Sequence, residues 1–174
     1  MKTTSTVLSF LLGLGFLAYG SILVWERYTP LPESQVASQT ASGRAQIDIP
    51  SARIILPIYP ATITDNRWEI TKSGVSYLST SPKPGARGNS VLYGHNWPRL
   101  LGRLTLVKPG DAVLIKGEDG KVVRFIVTYV FTVRPDQTEI FADTSDSRIT
   151  IYTCTGFLDS KRLVVTALRD LSVL

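Results

Sequence analysis

The chain has 174 residues, of which 44% are hydrophobic, and a formal net charge of +5. This length suffices for one domain with its own core and is too short for two domains of ordinary size. The positive charges are dispersed and form no Lys/Arg block that could follow a phosphate backbone, which argues against a nucleic-acid partner.

The amino-terminal part contains an uncharged, largely apolar run over residues 7–25. At about 1.5 Å per residue, a helix of this length crosses the hydrocarbon core of a bilayer. We therefore predict a single-pass membrane anchor at residues 1–28, with Met1–Thr6 in the cytoplasm and the rest of the chain outside it. The alternative is a signal peptide cleaved at the small-residue segment 18–20. The apolar run continues past that segment as SILVW, which favours the anchor.

The rest of the chain divides into a tether and one domain. Residues 29–44 are rich in Pro, Ser, Thr and Gln without apolar periodicity, which predicts a flexible tether. In residues 45–174, short β-branched and apolar runs alternate with Gly, Pro and Asp. The clearest pair of runs flanks the tight turn at residues 118–120, which is typical of a β-hairpin. Seven or eight such runs predict an all-β domain, either a barrel or a sandwich. Short helical turns are predicted near RWEITKSGVSYL, WPRLLGRL and TEIFADT.

The chain has a single cysteine, Cys154, and a single histidine, His95. Outside the cytoplasm, a lone cysteine is a buried thiol, an intermolecular crosslink or a nucleophile. Both residues stand at the carboxyl end of a predicted strand, where two side chains can face one cleft. A cysteine nucleophile needs a base or cation beside it because the thiolate is the attacking species. His95 is the only imidazole that the sequence offers for that role.

The tetrahedral intermediate of such a reaction needs a donor for its oxyanion, and an arginine is a candidate. Arg162 lies eight residues after Cys154, at the start of the next predicted strand. Adjacent antiparallel strands would bring these two residues together. The residues alone leave Arg148 and Arg169 open as alternatives.

We predict no metal site and no cofactor. One Cys and one His far apart in sequence do not form a zinc site. The acidic segment from Asp136 to Asp146 lacks EF-hand spacing, so a solvated acidic loop is favoured over a weak calcium site.

Two segments together resemble a known family. GNSVLYGHN, followed by a hairpin and then by TIYTCTGFLDSKRLVV, resembles the sortases, which are membrane-anchored cysteine transpeptidases of bacterial envelopes. Sortases carry Gly-His at the end of one strand, Thr-Leu-x-Thr-Cys at the end of another, and an arginine opening the strand that follows. Here the second motif is Thr150-Ile151-Tyr152-Thr153-Cys154, with Ile in place of Leu. The resemblance extends from about Ala45 to Asp170.

The resemblance implies a single closed eight-stranded β-barrel with His95, Cys154 and Arg162 as its catalytic residues. It also implies protein substrates that carry an LPXTG-like sorting motif near the carboxyl terminus. Cys154 would cleave after the threonine and form a thioacyl enzyme. An amine from a peptidoglycan precursor or a protein lysine would then take the acyl group. The small size of the domain argues against a pilus-polymerising enzyme and leaves the subclass open.

The resemblance further implies where the substrate binds. In sortases the loop before the cysteine strand covers the apolar residues of the sorting motif, and here that loop offers Ile140 and Phe141. Thr153 and Thr155, which flank the cysteine, complete the expected substrate-binding residues.

Two other functions compete with this interpretation. An L,D-transpeptidase is also an all-β envelope enzyme with a catalytic cysteine, but its motif places Ser/His-Gly just before the cysteine, and IYTCTG does not fit. The other is a membrane-tethered β-domain without catalysis, in which Cys154 is a packing residue. Alkylation of the folded protein separates the enzymes from the domain without catalysis. A catalytic thiol reacts in the folded protein, whereas a core thiol reacts only after denaturation.

Overall fold

The computed structural model describes residues 2–29, 44–65 and 67–172, which divide into an amino-terminal helix and a β-domain. The helix α1 comprises Lys2–Tyr28. Its stretch Phe10–Tyr28 is long and apolar enough to cross a membrane, a test that a signal sequence also passes. The predicted tether at residues 29–44 lies, except at its two ends, outside the described residues.

The described part of the β-domain consists of short strands with 3-10 turns between them. In chain order the strands are β1 (Gln46–Ile49), β2 (Ile54–Ala61), β3 (Ile63–Thr64), β4 (Arg67–Trp68), β5 (Val75–Leu78), β6 (Gly88–Gly94), β7 (Ala112–Lys116), β8 (Val122–Val133), β9 (Ser147–Thr155) and β10 (Lys161–Arg169).

Eight of these strands close into a barrel in the order β1-β2-β5-β6-β9-β10-β8-β7, with β7 pairing back to β1. The closed eight-stranded barrel expected from the sequence is thus confirmed. The pairs β2–β5 and β6–β9 are parallel, and the other neighbours in the barrel are antiparallel. The strands β3 and β4 form a separate two-stranded hairpin.

The interior of the barrel is filled by alternate residues of its strands. On β9, Ile149 and Ile151 belong to the main core, together with Phe125 from β8 and Leu92 from β6. Because successive side chains of a strand point to opposite faces, Tyr152 lies on the outer face, as does Cys154 two residues later.

A second apolar cluster covers part of the outer face of β6 and β9. Its buried members Val91 and Tyr93 pack with partly buried aromatic rings from the β3–β4 hairpin, from the loop before β9 and from β9 itself: Trp68, Phe141 and Tyr152. All seven residues of β6 are buried. The strand that leads to His95 is therefore held by packing on both of its faces.

Two of the three predicted helical turns are present as 3-10 turns, at Leu101–Leu106 and Glu139–Phe141. The third prediction is wrong, because RWEITKSGVSYL contains β4 and β5. The indole of Trp68 packs edge-on against Tyr93, with ring centroids 4.9 Å apart. The segment passes so close to β2 that a Cβ at Gly74 would collide with the carbonyl oxygen of Pro57. These tertiary contacts favour an extended path over a local helix.

Candidate active site

His95 and Cys154 follow paired residues on two adjacent parallel strands. Gly94, the last residue of β6, is in register with Thr153 of β9, so the residues that follow this pair in the chain are His95 and Cys154. The Oγ1 hydroxyl of Thr153 donates a hydrogen bond of 2.8 Å to the Gly94 carbonyl. This bond ties the two strands together immediately before His95 and Cys154.

Arg162 lies directly opposite Cys154. The two residues are register partners in the antiparallel β9–β10 pair. At the other end of the same pair, Leu168 faces Arg148, so Arg148 and Arg169 lie far from the cysteine. Of the three arginines that the sequence left open, the fold therefore brings Arg162 alone next to Cys154.

Burial and charge act on the Cys154 thiol in different directions. The residue is half-buried, and this burial raises the pKa of the thiol. The positive charge of Arg162 lowers that pKa, and the negative charge of Asp159 raises it further. The protein environment therefore favours the protonated thiol, and forming the thiolate requires a base.

The guanidinium of Arg162 is held by the loop between Cys154 and β10. Its Nη1 donates to the carbonyl oxygens of Asp159 at 2.8 Å and of Lys161 at 3.0 Å. In this loop Leu158 and Asp159 both adopt left-handed backbone conformations, with φ of 49° and 58°. This path turns the Asp159 carbonyl of the loop toward the guanidinium of Arg162.

The imidazole of His95 stacks on an aromatic ring that the sequence arguments did not single out. The ring centroids of His95 and Trp97 are 4.4 Å apart, and their planes are inclined by 10°. The Arg99 guanidinium lies 5.0 Å and the Lys72 ammonium 5.9 Å from the centroid of the same indole. An aromatic residue two positions after the only histidine was the available signal, but spacing alone does not distinguish stacking from core packing.

The loop before β9 lies beside the outer face of the cysteine strand. The Phe141 ring is 4.9 Å from the ring of Tyr152, and Tyr152 stacks on Tyr93 at 5.6 Å. Ile140 is half-buried, and its carbonyl accepts a 3.0 Å hydrogen bond from Asn89 Nδ2. Both predicted loop residues thus lie on the part of the loop that packs against β6 and β9.

The two threonines that flank Cys154 differ in their surroundings. Thr153 is only 2% exposed, and its hydroxyl bonds to the backbone of β6. Thr155 is half-buried and pairs with Lys161 at the start of β10. The geometry gives Thr153 a role in joining strands, and contact of either threonine with substrate stays a prediction.

The acidic residues before β9 are engaged in local bonds. Asp143 accepts hydrogen bonds from the backbone N–H groups of Asn89 and Thr144, and Asp146 forms an ion pair with Arg148. These contacts hold the loop to the starts of β6 and β9. Among the described residues, no group of three or more His, Cys, Asp or Glu side chains is arranged to hold a metal ion.

Comparisons with known proteins bear on the fold and the family of this chain. The family model described as the sortase domain matches residues 47–170. A solved structure of sortase A from Corynebacterium diphtheriae, a lid mutant, is 31% identical with a TM-score of 0.64, and the match covers 75% of this chain and 73% of that one. Sortase C from Clostridium perfringens SM101 is 28% identical with a TM-score of 0.61, over 72% of this chain and 68% of that one. No curated protein matches the chain.

Proposed function

Because this chain belongs to the sortase family, we propose that it is a cysteine transpeptidase acting on LPXTG-like sorting motifs near the carboxyl termini of protein substrates. The observation that carries this proposal is the meeting of His95, Cys154 and Arg162 at the ends of three adjacent strands. The helix α1 would hold the enzyme at the cell membrane with its catalytic domain outside the cytoplasm. Its acceptor is an amine, from a peptidoglycan precursor or from a protein lysine.

The first step is acylation of the cysteine. His95 takes the thiol proton, and the Cys154 sulfur attacks the carbonyl carbon of the substrate threonine. The carbonyl oxygen becomes an oxyanion, which Arg162 and the backbone N–H of Thr155 stabilise by hydrogen bonds. His95 then gives its proton to the leaving amine, the C–N bond breaks, and a thioester remains on Cys154.

The second step reverses the roles of these groups. The acceptor amine attacks the thioester carbonyl, and His95 removes a proton from the attacking nitrogen. Collapse of the tetrahedral intermediate expels the thiolate of Cys154 and leaves a new amide bond. Attack by water in place of the amine gives hydrolysis. The acyl group is therefore transferred only when an acceptor amine attacks the thioester.

The substrate-binding surface is proposed on the outer face of β9 and the loop before it. A peptide acylated on Cys154 can continue along this face, where Phe141 and Ile140 border the strand. Support comes from the contact between the rings of Phe141 and Tyr152, which lies two residues before the cysteine. Apolar residues of the sorting motif would bury surface against these side chains.

Trapping the acyl-enzyme tests the proposal. The full chain in detergent is incubated with a set of LPXTG-like peptides, and intact-mass spectrometry follows the protein. We expect a mass increase equal to the peptide fragment that ends in threonine less one water, as a thioester requires, and we expect hydroxylamine to remove it. Cys154→Ala should show neither the adduct nor peptide cleavage, with an unchanged thermal midpoint.

Two outcomes contradict the proposal. Peptide cleavage by Cys154→Ala would exclude Cys154 as the nucleophile. A wild-type protein that forms no adduct with any peptide, and whose thiol resists alkylation until denatured, would favour the membrane-tethered β-domain without catalysis.

A further inference from the structure

The segment after β6 places an indole against the only imidazole of the chain. The near-parallel rings of His95 and Trp97 lie at stacking distance, with centroids 4.4 Å apart. An imidazole is positioned by two side-chain torsions, and a flat surface against one face of the ring restricts the second torsion. The stack therefore limits the directions in which the two ring nitrogens of His95 can point.

The indole itself is held from more than one side. It packs against the main core, and the guanidinium of Arg99 lies over its ring. The Nε of Arg99 is buried and has no hydrogen-bond acceptor among the described residues. A guanidinium whose Nε is buried without an acceptor finds a favourable partner in the electron-rich face of an indole. Arg99 therefore braces Trp97, and Trp97 in turn orients His95.

The backbone of this segment is fixed independently of the indole. The Leu100 N–H donates to the Trp97 carbonyl at 2.8 Å, and the Leu101 N–H donates to the His95 carbonyl at 3.1 Å. These bonds set the path of the chain whatever side chain residue 97 carries. A substitution there acts mainly on the imidazole and on local packing.

We propose that Trp97 is a positioning residue, which holds the His95 imidazole in the orientation that proton transfer with Cys154 requires. This inference rests on the function proposed above. It adds a residue that touches neither sulfur nor substrate and acts only through the histidine.

The kinetic test compares Trp97→Phe with Trp97→Leu in the full chain. Phenylalanine keeps a flat ring, whereas leucine fills similar space near the backbone without one. We expect Trp97→Phe to keep kcat within about threefold, and Trp97→Leu to lose roughly 10- to 100-fold in kcat, a part of what general acid–base catalysis supplies. KM should change little in both variants, because the substrate is not contacted.

Two controls test whether the effect is specific to this ring and acts through His95, and the thermal midpoint of each variant is measured beside its kcat. Tyr129→Leu removes another aromatic ring, one that is 69% exposed on β8 and outside the site, and should leave kcat unchanged. In a His95→Ala background, Trp97→Leu should cause no further loss, since two residues acting through one imidazole are not additive. Additive losses, or equal losses in the Phe and Leu variants, would overturn the proposal, as would a loss confined to KM.

A second readout does not depend on activity. Because the chain has one histidine, its imidazole gives one set of NMR signals in a tag-free, histidine-labelled sample. The ring current of a stacked indole shifts these signals upfield, and Trp97→Leu should remove that shift. Unshifted wild-type signals overturn the inference. Shifted signals in a protein without peptide cleavage leave the stack in place and count against the proposed function alone.

Discussion

The reactivity of the site depends on how readily the thiol of Cys154 loses its proton. Burial is the largest influence and raises the pKa of this thiol, Arg162 lowers it, and Asp159 raises it. A raised pKa favours the protonated thiol, and in the proposed mechanism the reactive fraction is the part in which His95 holds the proton. The rate of such a site is highest at pH values between the pKa of its general base and the pKa of its general acid.

Alkylation of the folded full chain should follow these influences. We expect the reaction of Cys154 with iodoacetamide to proceed without denaturant and to accelerate toward high pH, with an apparent pKa above that of an ordinary thiol. Arg162→Ala should move the apparent pKa upward, because a positive charge is lost, and Asp159→Asn should move it downward. Rates measured by mass spectrometry from pH 6 to 10 check both directions. An apparent pKa that stays unchanged in both variants, or that falls in Arg162→Ala and rises in Asp159→Asn, would contradict this account of how the two charges act on the sulfur.

Substitutions of two arginines on β10 test the assignment of the oxyanion donor. Arg162→Ala should reduce kcat by about 10²–10³, the usual cost of losing one such donor. Arg162→Lys should not restore the rate, because a point charge lacks the planar fork of donors. Arg169→Ala is the matched control, because Arg169 lies at the other end of β10. Its Nη1 donates a hydrogen bond of 2.9 Å to the Gly85 carbonyl. It should keep a near-normal rate, and a dead Arg169→Ala beside an active Arg162→Ala would reverse the assignment.

At the scale of elements, the parallel pair β6–β9 determines whether the site forms. The pairing begins at Gly88 and Ser147 and ends at Gly94 and Thr153. The first residues of this pairing are crowded, because Asp143 Oδ1 accepts a hydrogen bond from the N–H of Asn89, the residue after Gly88. The register that brings His95 next to Cys154 is thus set partly at the opposite end of the two strands.

Replacing Gly88 should test this dependence. Gly88→Ala places a Cβ at positive φ (112°), where it would collide with Asp143 Oδ1 and lie 2.6 Å from Pro82 Cγ. We expect a loss of about 2–4 kcal/mol in the free energy of unfolding, combining backbone strain with overpacking. Gly110→Ala is the control, since Gly110 also has positive φ (93°) but an added Cβ meets nothing within 4 Å. Urea denaturation should show a loss of only about 1–2 kcal/mol there, and equal losses in both variants would exclude crowding as the cause.

Local patterns were enough to predict the elements that carry the candidate residues. The alternation of Ile149 and Ile151 with polar neighbours predicts β9, and the turn at residues 118–120 predicts the hairpin of β7 and β8. Such patterns do not show that β6 is buried on both faces, because the rings that cover it come from distant segments, at Trp68 and Phe141. For the same reason, residue order could not choose between Arg162 and Arg169, whereas strand register does.

At the scale of the whole molecule, the helix α1 and the β-domain differ in where their apolar side chains lie. Large apolar side chains of α1 are exposed, such as Phe16 at 76% and Trp25 at 74%. Exposed apolar surface of this extent needs lipid or another apolar partner. The barrel, in contrast, carries its own apolar core.

Cell fractionation should separate these two behaviours. The full chain should remain in the membrane pellet after carbonate extraction, whereas a chain beginning at residue 44 should be recovered in the soluble fraction with its fold intact. The intact mass of the full-length product decides between anchor and signal peptide, because cleavage near residues 18–20 would remove most of α1. A carbonate-soluble product of that lower mass would contradict the membrane anchor.

The four-residue strand β1 has a consequence for how this domain can be handled. It pairs with β2 on one side and with β7 on the other, and so completes the ring of strands. Without it, both neighbours would present rows of unpaired backbone N–H and C=O groups, which recruit strands from other molecules. Any version of the domain that begins after Ile49, and so lacks β1, is therefore expected to self-associate, through donated strands or aggregation. Chains that begin in the predicted tether should stay monomeric, whereas chains that begin only a few residues after it should aggregate.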